Sequence, residues 1–324
     1  MNSYSYLTDK IAASKNIILT THKSCDGDGL GSELAIYYCL EQMNKNVRIF
    51  HQEALHPRYN FIDKESRVKN FDPKSDFKPD LMLAFDTNDH RMIEPVFSHY
   101  DGKCEIIFLD HHALLQKGPS PTENSIVDSA AASTGEMTFK LVKALGVPLN
   151  KKIAEALYTS IAFDTHVFKF IRNSRASFEM AAELMQYDID CTWIHRMLFA
   201  NYSANKVKFL GLSLKDIEFS QNNKVGLLMI PEKVIKSSAV EPEEIHDLVD
   251  FILGVNTCEI AVVARELEPN QFRISFRSKG KYKVLDLAEK FGGGGHELAC
   301  GAYVTSDLKS LKSKLTLGLD AFFV

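Results

Sequence analysis

Ile106-Ile107-Phe108-Leu109-Asp110-His111-His112 reads as a buried strand that ends in an acid and two imidazoles. Such an ending puts metal-ligand chemistry at the C-terminal rim of a sheet, where open α/β folds hold their ligands. The pattern recurs along the chain. Residues 17–21 run into His22-Lys23-Ser24-Cys25-Asp26-Gly27-Asp28, residues 81–85 into Asp86, and residues 161–163 into Asp164. A buried carboxylate must be paired or must coordinate a metal. Converging, these groups would hold about two hard cations a few ångströms apart.

Outward from these segments, strand and helix signals alternate. Residues 16–21, 47–50, 81–85 and 106–109 are short apolar strand candidates. Ile36, Cys39, Leu40 and Met43 recur at helical spacing, which predicts an amphipathic helix over 31–43. Residues 134–145 and 153–161 carry helical patterns, with Gly146 as a stop signal after the first. This rhythm predicts a mostly parallel sheet with helices on its faces. From 175 to 215 the pattern is almost wholly helical. Beyond Ser220-Gln221-Asn222-Asn223, strands are expected at 225–230, 260–264 and 272–276, then a short helix at 284–290. The expected fold class is therefore α/β. A parallel-sheet N-terminal domain spans 1–190, a helical linker 191–220, and a smaller α/β C-terminal domain 221–324. No internal repeat is evident.

Composition bounds the function classes. The chain has 324 residues, 45% hydrophobic and 25% charged, as soluble globular proteins do. No apolar run approaches the roughly 18 residues a membrane helix needs. Residues 1–10 are polar and mixed, unlike a secretory signal, so a cytoplasmic protein without membrane contact is expected. The six cysteines lie scattered at 25, 39, 104, 191, 258 and 300 with no C-x-x-C pair, which argues against a disulfide framework or a zinc knuckle. A net charge of −4 excludes a strongly basic duplex-DNA binder. Basic residues do cluster locally at Arg273, Arg277, Lys279, Lys281 and Lys283.

His22, Asp26 and Asp28 stand at i, i+4 and i+6, so the two carboxylates can face two neighbouring ions. Gly27, Gly29 and Gly31 permit a tight turn and close approach to a phosphate, and Ser32 is the expected helix cap. An ordinary Asp/Gly turn fits this segment as well. Asp86, followed by Thr87-Asn88-Asp89, reads by itself as a helix cap. Asp164 closes an apolar helix, where the dipole disfavours an acid unless a cation compensates. Ser133-Thr134-Gly135-Glu136, with Asp128 before it, reads as a capped helix start whose N-terminus could face the site. Gly292-Gly293-Gly294-Gly295-His296 costs backbone entropy and is expected to form an anion nest. Arg277 and Ser278, at the end of the preceding strand, are its natural phosphate-binding partners. His166, Lys169, Arg172 and Arg175 either line a path to the site or form a solvated face. His51, His56, His99, His195 and His246 lack clustered acids and read as structural or surface residues.

In this order, His22-x-x-x-Asp26-x-Asp28, Asp86, Asp110-His111-His112 and Asp164 resemble the four motifs of the DHH phosphoesterases. Gly292-Gly293-Gly294-Gly295-His296-x-x-Ala299-x-Gly301 resembles the nucleotide-binding motif of the DHH-associated domain found in RecJ-like exonucleases and NrnA-type oligoribonucleases (nanoRNases). The resemblance implies one manganese held by His22, Asp26 and Asp86, and another held by Asp28, Asp86, His111 and Asp164. It also implies that His112 contacts the scissile phosphate and that Asp110 orients a neighbouring histidine. Carboxylate and imidazole donors without thiolates suit manganese, with magnesium or cobalt as alternatives. Arg277, Ser278, Gly293, Gly294, Gly295 and His296 would bind the substrate. Cys25 departs from the proline usual in that family, which alters loop stiffness but removes no ligand.

The chain is too short for a RecJ enzyme with its oligonucleotide-binding barrel. It also lacks the sensory segments of membrane-bound cyclic-di-AMP phosphodiesterases. The glycine motif argues against a family-II inorganic pyrophosphatase. The resemblance therefore implies hydrolysis of short RNA or DNA oligonucleotides to nucleoside 5′-monophosphates, with removal of the 3′-phosphate of pAp in some relatives. Cleavage of cyclic or linear dinucleotides and non-catalytic nucleotide sensing are the alternatives. A homodimer is one option, since dimers are common for such folds, but the sequence is silent on oligomeric state.

Overall fold

The computed structural model describes residues 3–114, 118–172, 175–240, 245, 248–295 and 297–323. The chain folds into two compact units, Met1–Asn201 and Tyr202–Val324.

The first unit opens with α1 (Ser3–Ala13), β1 (Asn16–Thr21), α2 (Gly27–Gln42), β2 (Asn46–His51), β3 (Val68–Asn70) and β4 (Leu81–Phe85). It continues with α3 (Val96–Tyr100), β5 (Glu105–Asp110), β6 (Ile126–Val127), α4 (Thr134–Leu145), α5 (Lys151–Asp164), α6 (Arg175–Leu184) and α7 (Cys191–Phe199). The strands form one sheet in the order β3-β2-β1-β4-β5-β6, and every pairing is parallel. Parallel strands are covered on both faces, so their residues are apolar without alternation. In β5, Ile107 and Leu109 join the core beneath α2 and α5, while Ile106 and Phe108 join the opposite core with Tyr100 and Phe77. The strand order reverses between β1 and β4. That switch point leaves a crevice beyond the carboxyl ends of the strands.

α2 starts four residues earlier than its apolar pattern indicates. Asp26 caps it, accepting from the backbone N–H of Asp28 (2.9 Å) and Gly29 (3.2 Å). Ser32 is therefore not the cap expected from the sequence; it lies buried inside the helix. Gly31 has a packing reason as well. A Cβ there would come within 2.5 Å of the Ala156 carbonyl oxygen, so the missing side chain lets α2 lie against α5.

The second unit contains α8 (Ala204–Leu214), β7 (Glu218–Ser220), β8 (Val225–Ile230), α9 (Glu232–Ser238), α10 (Leu248–Leu253), β9 (Ile260–Glu268) and β10 (Gln271–Ser278). It ends with α11 (Leu285–Lys290), β11 (Gly294–Gly295), β12 (Ala299–Thr305) and α12 (Leu308–Asp320). Its sheet is mixed, in the order β11-β12-β10-β9-β8-β7, and β8–β9 is the parallel pair. β10 alternates: Phe272, Ile274 and Phe276 enter a core with α11 and α12, while Arg273, Ser275 and Arg277 take the other face. Among the described residues, no helix is long and apolar enough to cross a membrane.

Candidate metal centre

The crevice at the switch point collects side chains from three strand ends and two helices. β1 delivers His22 and, through the turn, Asp26 and Asp28. β4 delivers Asp86, β5 delivers Asp110, His111 and His112, and Asp164 comes from the last position of α5. The eight residues expected from the sequence come together. His22 Nε2 lies 3.7 Å from Asp26 and 3.5 Å from Asp86. His111 Nε2 lies 3.6 Å from a carboxylate oxygen of Asp28, of Asp86 and of Asp164. His22, Asp26 and Asp86 form one ligand cluster, and Asp28, His111 and Asp164 form another. Two donors, each about 2.1 Å from one ion, stand roughly 3–3.6 Å apart at coordination angles near 90–120°. These spacings therefore fit cations between the groups better than hydrogen bonds.

The histidine tautomers point the same way. His111 Nδ1 faces the Ala131 carbonyl at 3.4 Å, and His22 Nδ1 faces the Lys23 carbonyl at 2.8 Å. A carbonyl accepts only, so each Nδ1 carries a proton and each Nε2 is the nitrogen turned to the carboxylates. Against its burial, the hydrogen bonds to Asp26 and Asp86 hold His22 well above the usual imidazole range in the ion-free chain, so a cation there would displace a proton. His111 Nε2 is buried with no hydrogen-bond partner. Burial lowers the His111 pKa and so favours the neutral ring that a metal requires.

The carboxylates are held too close to remain comfortable without an ion. Burial, then the charges of Asp86, Asp164 and Asp26, push Asp28 well up. Burial and the charges of Asp86 and Asp26 lift Asp164 to about 7. The fully buried Asp28 is anchored by the start of α4, through the N–H groups of Thr134 (2.8 Å) and Gly135 (3.1 Å), and by the Ser160 hydroxyl. Thr134 also donates its hydroxyl to Asp86 at 2.9 Å. Asp86 itself adopts a left-handed backbone, φ 59°, which non-glycine residues seldom take outside special sites. It does not cap a helix; Asp89 does, at the following 3₁₀ turn.

His112 is half exposed, and its Nδ1 donates to the fully buried Asp110 at 2.8 Å. Asn88 donates to the other Asp110 oxygen at 2.6 Å and to the His112 carbonyl at 3.2 Å. Burial opposes protonation of His112. The Asp110 hydrogen bond and the charges of Asp86, Asp110 and Asp164 outweigh it and raise the imidazole to about 9.

Asn88 and Ser160 were not expected as site residues; Thr134 belongs to the helix start that could face the site, and its N–H does meet Asp28. Ser133 caps α4 as anticipated, accepting from the Glu136 N–H at 3.2 Å. Asp128 stays outside the clusters and accepts from the Ala130 N–H instead. His51 departs from its reading as a histidine without an acid: its Nε2 meets Glu33 at 2.7 Å, both buried.

In the second unit, Arg277 ends β10 beside Ala299 of β12, with Nε 3.6 Å from Asp250. The Ser278 hydroxyl accepts from the Gly280 N–H at 3.2 Å. The glycine run differs from the expected free nest. Gly294 and Gly295 pair with Gly301 and Cys300 as β11. A Cβ at Gly293 would lie 2.1 Å from the Gly301 carbonyl oxygen, and Gly295 takes φ 136°. Close strand packing thus calls for glycine here. His296 lies outside the described residues.

Residues 16–161 match the model of the DHH family, N-terminal domain, and residues 227–320 match that of the DHHA1 domain. The chain carries a DHH module followed by a DHHA1 module. Over 298 residues it is 28% identical to the bifunctional oligoribonuclease and PAP phosphatase NrnA of Bacillus subtilis, covering 90% of each chain. The protein of the same name from Thermus thermophilus is 29% identical over 289 residues, covering 88% of this chain and 83% of that one. The fold matches that of an exopolyphosphatase-related protein from Bacteroides fragilis with a TM-score of 0.89 at 22% identity, covering 99% and 96% of the two chains. The DHH match runs from β1 into α5 and covers His22, Asp26, Asp28, Asp86, Asp110, His111 and His112; it ends before Asp164.

Proposed function

We propose that the chain is a metal-dependent phosphoesterase that hydrolyses short oligonucleotides to nucleoside 5′-monophosphates and removes the 3′-phosphate of pAp. The observation that carries this reading is the convergence of Asp26, Asp28, Asp86 and Asp164 with His22 and His111 around an unpartnered, buried His111 Nε2. The names of the B. subtilis and T. thermophilus relatives support the substrate class.

His22, Asp26 and Asp86 would hold one cation, and Asp28, Asp86, His111 and Asp164 the other, with Asp86 shared. Oxygen and imidazole donors suit manganese, with magnesium or cobalt as alternatives. A bound pair supplies a water ionised near neutral pH and positive charge for the phosphoryl oxygens. The chain's own groups do the rest. Asp110 fixes His112 with its Nε2 edge free. In the ion-free chain the ring sits at about 9; bound cations would offset the Asp86 and Asp164 charges, and the Asp110 hydrogen bond is the part that would still favour an Nε2–H able to donate to a phosphate oxygen. The start of α4 keeps Asp28 and Asp86 aimed at the crevice, so little reorganisation accompanies reaction. In the DHHA1 module, Arg277, Ser278, Gly293, Gly294, Gly295 and His296 would bind a substrate phosphate.

The test is turnover of 5′-labelled RNA and DNA oligomers of increasing length, pAp and a cyclic dinucleotide, with manganese and with EDTA. Dimers to pentamers should be converted to mononucleotides, and Asp86→Asn should cut kcat/KM by more than about 100-fold. Turnover of the cyclic dinucleotide alone, or turnover that persists in EDTA, would refute the proposal.

A further inference from the structure

Arg265 is an arginine where the fold has no visible use for one. It stands in β9 at 4% exposure. The charged groups that act on it are Arg273, which opposes its charge, and the Tyr303 phenol; burial and Arg273 push its guanidinium down to about 10. Glu266, its sequence neighbour, is committed to the backbone N–H groups of Glu232 and Asn270, each at 3.0 Å. Among the described residues no acid pairs with it; a buried guanidinium so placed is costly, and like charges directly opposite on a sheet add to the cost.

Strand register explains what this arrangement could serve. Arg265 pairs with Arg273 across β9–β10, and Arg273 pairs with Tyr303 across β10–β12. The three therefore form one row on one face. The Arg273 guanidinium lies 5.8 Å from the Tyr303 ring centre, and Tyr303 is 71% exposed. Arg277 lies on the same face four residues along β10, about 13 Å away at the rise of a strand. The intervening row is Val263–Ser275–Gly301, whose β10 and β12 members are small.

We propose that Arg265, Arg273 and Tyr303 form a second nucleotide subsite of the DHHA1 module, for a phosphate and an adjoining base farther along a strand than the one at Arg277. Arg273 takes the phosphate, the buried Arg265 adds positive charge from the neighbouring strand, the phosphate's charge relieves their mutual repulsion, and a base stacks on Tyr303. This rests on the oligonucleotide reading and adds to it a preference for strands longer than a dinucleotide.

Fluorescence anisotropy of the full-length protein in EDTA, where the probe is not consumed, tests it with a 5′-labelled RNA pentamer and a labelled dinucleotide. The wild type should bind the pentamer more tightly. Arg273→Gln and Tyr303→Ala should each lower the pentamer-to-dinucleotide affinity ratio about ten-fold. Arg273→Gln should also flatten the plot of log affinity against log salt by about 0.7, while Tyr303→Ala keeps the wild-type slope. Tyr303 is exposed, so its variant keeps the test meaningful if Arg265→Gln fails to fold. An unchanged ratio in both folded variants, or a wild type that does not prefer the pentamer, overturns the proposal. If pentamer binding depends on Arg273 but the manganese-loaded protein cleaves no oligomer, the subsite stands and the nuclease reading falls.

Discussion

Asn88 carries much of the order around His112, because its amide holds both the buried Asp110 carboxylate and the His112 carbonyl. Removing it leaves Asp110 short of a donor and His112 free to tilt. Asn88→Ala should lower kcat by about 10- to 100-fold and lower stability by about 1–3 kcal/mol, with no loss of bound metal. An equal fall in metal content would place Asn88 among the groups that support the ions instead. The residues that end strands in acid or imidazole were readable in the sequence, because an ionisable group after an apolar run has few other uses. Asn88 was not, since Thr87-Asn88-Asp89 has the composition of a cap. Its partner Asp110 is distant in sequence and becomes adjacent through parallel pairing of β4 with β5. His51 escaped for the same reason: Glu33 reaches it only after α2 packs over β2.

At the scale of the element, α2 and α5 set the position of the centre. α2 starts at the Asp26 cap, and α5 ends at Asp164, so the contact between these helices controls the separation of two ligand groups. Gly31→Ala would push a methyl into the Ala156 carbonyl and the Ser160 main chain. We expect it to cost about 1–3 kcal/mol in urea unfolding, and to weaken manganese binding by moving Asp164. A variant with normal metal affinity would show that α5 shifts without disturbing its last turn. α4 was legible to the residue, because Ser133 and Gly146 are strong start and stop signals. The start of α2 was not. Its first turn carries glycines and an aspartate, which suggest a loop until Asp26 is seen capping it. Likewise the glycine run suggested an open nest, whereas pairing with β12 makes Gly294 and Gly295 a short strand.

For the whole molecule, the cluster of carboxylates makes stability depend on pH and metal. Burial, with Asp86 and Asp26, raises Asp164 to about 7 in the folded, ion-free chain. An unfolded aspartate titrates near 3.9. A raised folded value means that folding is disfavoured once the unfolded group ionises. The cost is absent below about pH 4, grows towards pH 7 and is constant beyond. In EDTA, Asp164→Asn should therefore melt higher than the wild type at pH 7, with the gain vanishing near pH 4. Manganese should reverse the order, since an ion at 100 times its Kd adds about 2.7 kcal/mol to the wild type. Scanning calorimetry at both pH values, with and without metal, reads this directly. A wild type that outlasts the variant in EDTA at pH 7 would show that the carboxylates are not in conflict. By itself the sequence determined the α/β class, the parallel N-terminal sheet and the eight residues at its rim, because hydrophobic runs and the acids that end them are local patterns. Tertiary structure alone decided how those groups share a crevice, which amides and hydroxyls hold them, and that Arg265, Arg273 and Tyr303 form one row. Each of these depends on which strands become neighbours and in what register, and no local pattern encodes that.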